Sequence, residues 1–315
     1  MKHIKYFLIF LGLLIVAVIA VNYMGSKPKV AKQNPYEYNV DEFKQVDPEL
    51  ISHKEVRQIK VDVSDHGGIA TANGHIYFAS GNTVKTLSPD GKLLGEFAID
   101  ETPFALAANE NLLVVAFEKR MAGYSLQGEK LFQTEVMNDS TVITSVAFLN
   151  GKIAVADAGK RRVYLFEEAS KVAEIEGQSG AKNLHGFIIP SAKFDLAVNS
   201  DNELWVVNPG MHALQHYDEK GSLVEAWEKV SLQIEGFSGC CNPAHFTFLP
   251  DGRFVTSEKG MPRIKIYKPD GTLESVVAPP DKFIDNGRAC DVCTLGETIV
   301  ALDYDKKIIR IFEKK

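Results

Sequence analysis

The chain is sparing in several respects, and each scarcity excludes something. Only four of its 315 residues are cysteine, too few for a dense disulfide framework. The six methionines are scattered and suggest no copper-handling run. There is no Walker loop and no GxGxxG fingerprint, so neither familiar phosphate cradle is present. No Ser-His-Asp arrangement can be assigned from spacing, and no His-x-His pair occurs. Positive charge is also in deficit. Of 35 basic residues, Lys2 and Lys5 lie in the first 25, leaving 33 against 41 acidic ones, a formal −8. A protein that grips nucleic-acid phosphates carries a basic stripe and a high isoelectric point. This one has neither, which excludes nucleic acid as the expected partner.

Long apolar runs are absent too, with one exception. Lys2, His3 and Lys5 precede Tyr6–Val21, an uninterrupted apolar stretch. Its length lies between a signal-peptide core and a bilayer span. Val18-Ile19-Ala20 makes a weak cleavage site, so residues 1–25 are expected to be an uncleaved transmembrane signal anchor. Lys27, Lys29 and Lys32 nearly balance the positive charge across it. The usual outcome for one such anchor ahead of a large polar domain is export of that domain, here to the periplasmic side of the cell membrane. No cysteine follows the run, which excludes a lipid-modified N-terminal cysteine. Residues 26–54, rich in lysine, proline and acid, read as a linker.

From Glu55 onward no helical period of useful length appears. Short alternating segments of Val, Ile, Phe, Tyr and Thr are divided by Asn-Gly, Asp-Gly and Lys-Gly turns, which predicts an all-β domain over 55–315. The segments repeat. A strand ends on an aromatic residue or leucine and is followed four residues later by glycine, as in Ile264-Lys-Ile-Tyr-Lys-Pro-Asp-Gly271. The anchors Leu87, Tyr124, Phe166, Tyr217, Tyr267 and Phe312 are spaced 37, 42, 51, 50 and 45 residues apart. That is the period of a four-stranded propeller blade, and six anchors imply a six-bladed β-propeller. The last copy lacks an outer strand, and Glu55–Val63 is expected to supply it and close the ring.

Val155-Ala-Asp-Ala-Gly-Lys-Arg-Arg-Val163, Trp205-Val-Val-Asn-Pro-Gly-Met-His-Ala-Leu214 and Val300-Ala-Leu-Asp-Tyr-Asp-Lys-Lys-Ile308 share a strand–Asp–turn–strand pattern. In these and in a fourth copy, Asp157, Asn208, Glu258 and Asp303 each lie nine positions before an anchor. On these residues the domain resembles the NHL-repeat six-bladed propellers (NHL/TolB-like). The stretch Glu235–Val277 is similar to an exported, membrane-anchored bacterial subgroup of them. The resemblance implies the fold and export. For function it implies a range: members bind proteins, bind RNA or act as metal-dependent lyases.

A propeller gathers two kinds of loop on one face, those entering the inner strands and those joining second to third strands. The candidate ligand-binding residues are therefore His185, Asn208, His212, Lys259, Arg263, Arg288 and Lys306, with His66 nearby. Their cationic members suit a small anionic ligand or an envelope protein. Aligned inner strands place Ser145, Asp195, His245 and Asp291 in equivalent positions at the channel. His245, Asp195 and Asp291 have the chemistry of a divalent-metal site, although no cofactor is expected. The reading is a tethered binding scaffold rather than an enzyme, its rival a metal- or thiol-dependent enzyme or redox accessory using the Cys/His cluster.

The cysteines form two tight pairs, Cys240–Cys241 and Cys290-Asp-Val-Cys293. Residues three apart on a strand face opposite ways, with Cα atoms about 10 Å apart, whereas a disulfide needs less than about 7 Å. Cys290 and Cys293 are thus not expected to bond each other. The pairs open neighbouring blades, which predicts disulfides across that seam. Four thiolates on a metal or iron–sulfur cluster, a redox-active thiol pair, and free buried thiols remain alternatives.

Overall fold

The computed structural model of the protein describes residues 2–25, 40–177 and 185–315. The chain divides into two compact units, Met1–Val40 and Asp41–Lys315. In the first, a helix α1 spans Lys2–Gly25, and its window His3–Val21 is long and apolar enough to cross a membrane. Its large apolar side chains are exposed from Ile4 to Val21, a surface that water does not favour.

The second unit is an all-β, six-bladed propeller. Strand β1 (His53–Lys60) comes first. Blade one contains β2 (Gly67–Ala72), β3 (His75–Ser80), β4 (Thr83–Leu87) and β5 (Leu93–Ala98); blade two contains β6 (Ala105–Ala108), β7 (Leu112–Ala116), β8 (Met121–Ser125) and β9 (Lys130–Gln133). Blade three is β10 (Ile143–Leu149), β11 (Lys152–Asp157), β12 (Arg162–Glu167) and β13 (Ser170–Ile175). Blade four is β14 (Leu196–Val198), β15 (Leu204–Asn208), β16 (Ala213–Tyr217) and β17 (Leu223–Glu228). Blade five is β18 (His245–Phe248), β19 (Phe254–Glu258), β20 (Arg263–Tyr267) and β21 (Leu273–Ala278). Blade six is β22 (Asp291–Leu295), β23 (Thr298–Asp303) and β24 (Ile308–Lys314), completed by β1.

All six anchors are buried at the end of, or near the end of, a third strand. Each blade buries its faces against its two neighbours, so the apolar residues form seam clusters rather than one central core. One seam holds Trp205, Phe246, Phe248, Phe254 and Tyr267. Trp205 and Trp227 both meet the Phe254 ring edge-on, at 4.9 and 5.2 Å, and so pack the seam. The short hairpin after Ser80 turns through Gly81 at φ +57°, a backbone setting that a Cβ opposes.

The inner strands touch in a closed circle, β2 to β6, β10, β14, β18, β22 and back to β2. Their polar side chains stitch one blade to the next. Asp195 Oδ2 accepts from Phe246 N–H at 2.8 Å, Asp291 Oδ2 accepts from Ile69 N–H at 3.1 Å, and Thr294 Oγ1 donates to the Phe248 carbonyl at 2.8 Å. The ring closes as expected: β1 pairs antiparallel with β24, Glu55 opposite Phe312 and Lys60 opposite Ile308. From Asp41 on, the segment read as linker also engages the propeller. Lys44 pairs with Asp285, and the Ser52 N–H donates to the Val276 carbonyl.

The pattern residues nine before each anchor act as turn and loop clamps. Asp157 Oδ1 accepts from the Val142 and Lys160 amides, each at 3.0 Å; Asn208 Oδ1 accepts from the Ile188 amide at 2.8 Å. In blade five the clamp is charged. Glu258, Arg263 and Lys265 are each 0% exposed, and Glu258 Oε1 lies 2.9 Å from Arg263 Nε and 2.8 Å from Lys265 Nζ. Both cations also donate to the Gly236 carbonyl, at 2.8 and 2.7 Å, which holds the loop leading to the Cys240–Cys241 pair. Burial lowers the Lys265 ammonium to a pKa of about 8.

Candidate functional site

On the face where the inner strands begin, the axis opens into a cleft of about 410 Å³. The loop entering β14 contributes Ser191 and Lys193, the turn after β19 Lys259, and the loop entering β22 Arg288. Aromatic rings line the cleft as well, and Asp65 lies 3.5 Å from Arg288 at its edge. His66 stacks on Phe104 with centroids 4.1 Å apart, and Tyr304 carries the Arg288 guanidinium 5.2 Å above its ring. Three cations thus share the cleft with apolar and aromatic side chains.

Each cation is held differently. Arg288 Nε donates to Asp305 Oδ1 at 2.7 Å, and its amide to Oδ2 of the same carboxylate, also at 2.7 Å, which fixes its direction. Lys259 Nζ reaches the Ser191 hydroxyl at 3.4 Å. Lys193 has no carboxylate within ion-pair distance among the described residues; burial lowers its pKa, and Lys259 and Arg288 lower it further.

Below the cleft a neck of about 30 Å³ is lined by Ser145, Asp195, His245 and Asp291, and it leads to a cavity of about 380 Å³ at the far end of the axis. The inner-strand residues aligned from sequence therefore do meet. His245 Nδ1 is 3.7 Å from Asp195 Oδ2 and 3.9 Å from Asp291 Oδ1. Burial pushes the Asp195 carboxyl up to about 7, with Asp291 adding to it, and the Asp291 carboxyl up to about 6. Burial, with Lys193 above, holds the His245 imidazole well below its ordinary value. His245 Nε2 is buried with no hydrogen-bond partner among the described residues. No group of three His, Cys, Asp or Glu side chains gathers at metal-ligand spacing among the described residues.

Of the seven ligand-binding candidates, Lys259 and Arg288 line the cleft. The others are placed elsewhere. Asn208 is a buried loop clamp, and Arg263 is consumed by Glu258. The His212 ring nitrogen Nδ1 meets the Asn242 carbonyl at 2.9 Å, bracing the cysteine loop, while Lys306 Nζ donates to the Lys282 carbonyl at 2.6 Å. His185 is exposed and is not part of the cleft wall. Lys193, Ser191, Phe104 and Tyr304 were not among the candidates. For Phe104 and Lys193 the available signal is position, since each falls within two residues of a residue that faces the axis.

The cysteines correct an expectation. All four are free, and no disulfide crosses the seam between blades five and six. Cys290 packs in that seam with Val255, Ile264 and Phe312, but Cys293 packs in the next one with Val63, Ile69 and Ile76. Strand alternation sends them to opposite faces of blade six, as the spacing requires, and so keeps four sulfurs from converging. Cys241 is buried, Cys240 is exposed, and their Sγ atoms are 3.2 Å apart at the rim of the cleft.

No family model and no curated protein matches the chain. Among solved structures it is similar to virginiamycin B lyase from Staphylococcus aureus, at 15% identity and TM-score 0.57, over 84% of this chain and 100% of that one. It is similar also to a streptogramin B lyase (11%, TM-score 0.59, 84% and 98%) and to the WD40 β-propeller domain of Doa1 (14%, TM-score 0.57, 84% and 98%). At these identities the likeness shows the propeller fold alone.

Proposed function

We propose that the protein is a membrane-tethered, extracytoplasmic propeller of the NHL type that binds a small anion with an apolar body in its axial cleft. The observation that carries this reading is the convergence of Lys193, Lys259 and Arg288 on one concave site that the His66–Phe104 stack also lines. A carboxylate or phosphate suits the cations, an aromatic or aliphatic body suits the wall, and the unpartnered His245 Nε2 offers a further polar contact at the bottom. The apolar helix α1 supports the tether.

Calorimetric titration of the full-length protein in detergent micelles, with benzoate, hexanoate and phenyl phosphate as probes, tests the site. Saturable binding is expected, weakened about tenfold, or about 1.4 kcal/mol, by Lys259→Glu. If no probe saturates, or if Lys259→Glu and Arg288→Glu both leave the affinity unchanged, the cleft is not the site. Binding is also expected to depend on pH. Asp195 and Asp291 have raised pKa values, so they are ionised above about 7 and 6 and neutral below. Lowering pH from 8 to 5 removes negative charge beneath the bound anion. Affinity therefore rises as pH falls, by roughly three- to tenfold, and Asp195→Asn with Asp291→Asn flattens the profile.

The tether has its own test. After alkaline carbonate washing the chain should remain in the membrane fraction, and removal of residues 2–25 should release it. Retention without them refutes the anchor.

A further inference from the structure

The cysteine loop is built around its two sulfurs. Asn242 braces it from inside: its Nδ2 donates to the Ser238 carbonyl at 2.6 Å and the Lys259 carbonyl at 3.0 Å, while its Oδ1 accepts from the Lys259 amide at 2.9 Å. The His212 ring holds the Asn242 carbonyl at 2.9 Å. This bracing holds the two thiols of adjacent residues 3.2 Å apart, one open to solvent and the other 1% exposed. We propose that Cys240 and Cys241 are a thiol–disulfide exchange site, in which Cys240 takes up a disulfide-bearing oxidant and Cys241 closes a vicinal disulfide.

The division of labour follows from access and charge. Only Cys240 is exposed enough for an incoming disulfide to reach. Cys241 is too buried to be attacked from solvent, yet it sits beside the Ser191 hydroxyl and the Lys259 ammonium. Burial raises its thiol, and those two neighbours with Cys240 more than offset this, so its pKa is lowered overall. Cys240 is raised by its contact with Cys241.

In the first step the Cys240 thiolate attacks R–S–S–R, forming Cys240–S–S–R and expelling RS⁻. In the second, the Cys241 thiolate attacks the Cys240 sulfur, closes the vicinal bond and expels the second RS⁻. The protein loses two electrons, the oxidant gains them, and the two thiol protons end on the two released thiols. Bringing the sulfurs from 3.2 Å to about 2.05 Å is a small movement. A bond between neighbouring residues strains the peptide between them, which makes it readily reduced again. The site therefore cycles rather than staples. Cys290 and Cys293 are buried in separate seams, and burial raises both thiols well above their ordinary value. They serve as internal controls.

The test uses the reduced full-length protein in detergent micelles, glutathione disulfide as oxidant, and mass spectrometry of the peptides after alkylation. The peptide carrying Cys240 and Cys241 should become lighter by two hydrogens, and dithiothreitol should reverse this. Cys241→Ser should instead accumulate a glutathione adduct on Cys240, because the resolving thiol is gone. Cys240→Ser should take up no glutathione on Cys241. Lys259→Gln should slow closure roughly tenfold. Cys290 and Cys293 should stay unreactive to maleimide until the chain is unfolded, which verifies the fold of every variant. If the wild-type protein shows neither adduct nor vicinal bond, or Cys241→Ser traps no adduct, the proposal is overturned. The readout is on sulfur, so it stands or falls apart from anion binding.

Discussion

Glu258→Ala should lower the unfolding free energy by about 3–5 kcal/mol, measured by denaturant titration, although Glu258 lies outside the cleft wall. Its carboxylate is 0% exposed and takes Arg263 Nε at 2.9 Å, Arg263 Nη2 at 3.1 Å and Lys265 Nζ at 2.8 Å. Without it, two cations remain inside blade five with main-chain carbonyls, the Met261 sulfur and the Phe237 and Tyr267 rings around them, but no carboxylate within ion-pair distance among the described residues. Lys265 has an escape, since burial has already lowered its pKa to about 8 and it can shed its proton. Arg263 has none, because a guanidinium stays charged in a protein. The cost should therefore fall mainly on Arg263. Replacing Glu258, Arg263 and Lys265 together by methionine should recover much of the loss, because apolar packing removes the unpaired charges. A single-variant loss below about 1 kcal/mol would show that the cluster is hydrated and not a true interior triad.

This cluster also marks the limit of what the sequence disclosed. Blade number and ring closure were legible, because an aromatic or leucine anchor every 37 to 51 residues and a lone alternating segment near the start have few other solutions. Polar roles were less legible. Arg263 and Lys259 both flank the turn between β19 and β20, and sequence offers no sign that one points into the blade and the other to the axis. Two residues of strand phase separate Arg263 from Lys265, so both face Glu258. Lys193 is different: the inner-strand alignment did reach Asp195 two residues on, but Lys193 lies in the loop before β14, where strand alternation no longer fixes direction. The cysteines show the same boundary from the other side. Alternation correctly separated Cys290 from Cys293, but blade adjacency alone predicted bonds across one seam, whereas all four thiols are free and the vicinal pair's sulfurs meet each other.

Deleting His53–Lys60 should cost still more, about 5 kcal/mol or greater, because it reopens the ring. Strand β1 is mostly exposed, so little apolar area is lost with it. The loss lies in the ladder to β24 and in Arg310. That guanidinium is 1% exposed and donates to Glu55 Oε1 at 2.9 Å and Oε2 at 2.7 Å, with Asp303 Oδ2 at 3.3 Å as its other carboxylate. Removal of Glu55 leaves it half paired, and the unpaired edge of β24 becomes a template for association between chains. The deletion variant should aggregate and lose a cooperative melting transition. A synthetic peptide of residues 53–63 added in trans should restore both, because the register Glu55 to Phe312 and Ile59 to Ile309 is set by side chains on β24 that are still present. A peptide with Glu55→Ala should rescue less well, since it rebuilds the ladder without repairing Arg310. Equal rescue by the two peptides would assign closure to the backbone ladder alone. A deletion variant that melts as cooperatively as the intact chain would show that five complete blades and an open sixth suffice, and that the first strand is an accessory to a ring already stable without it.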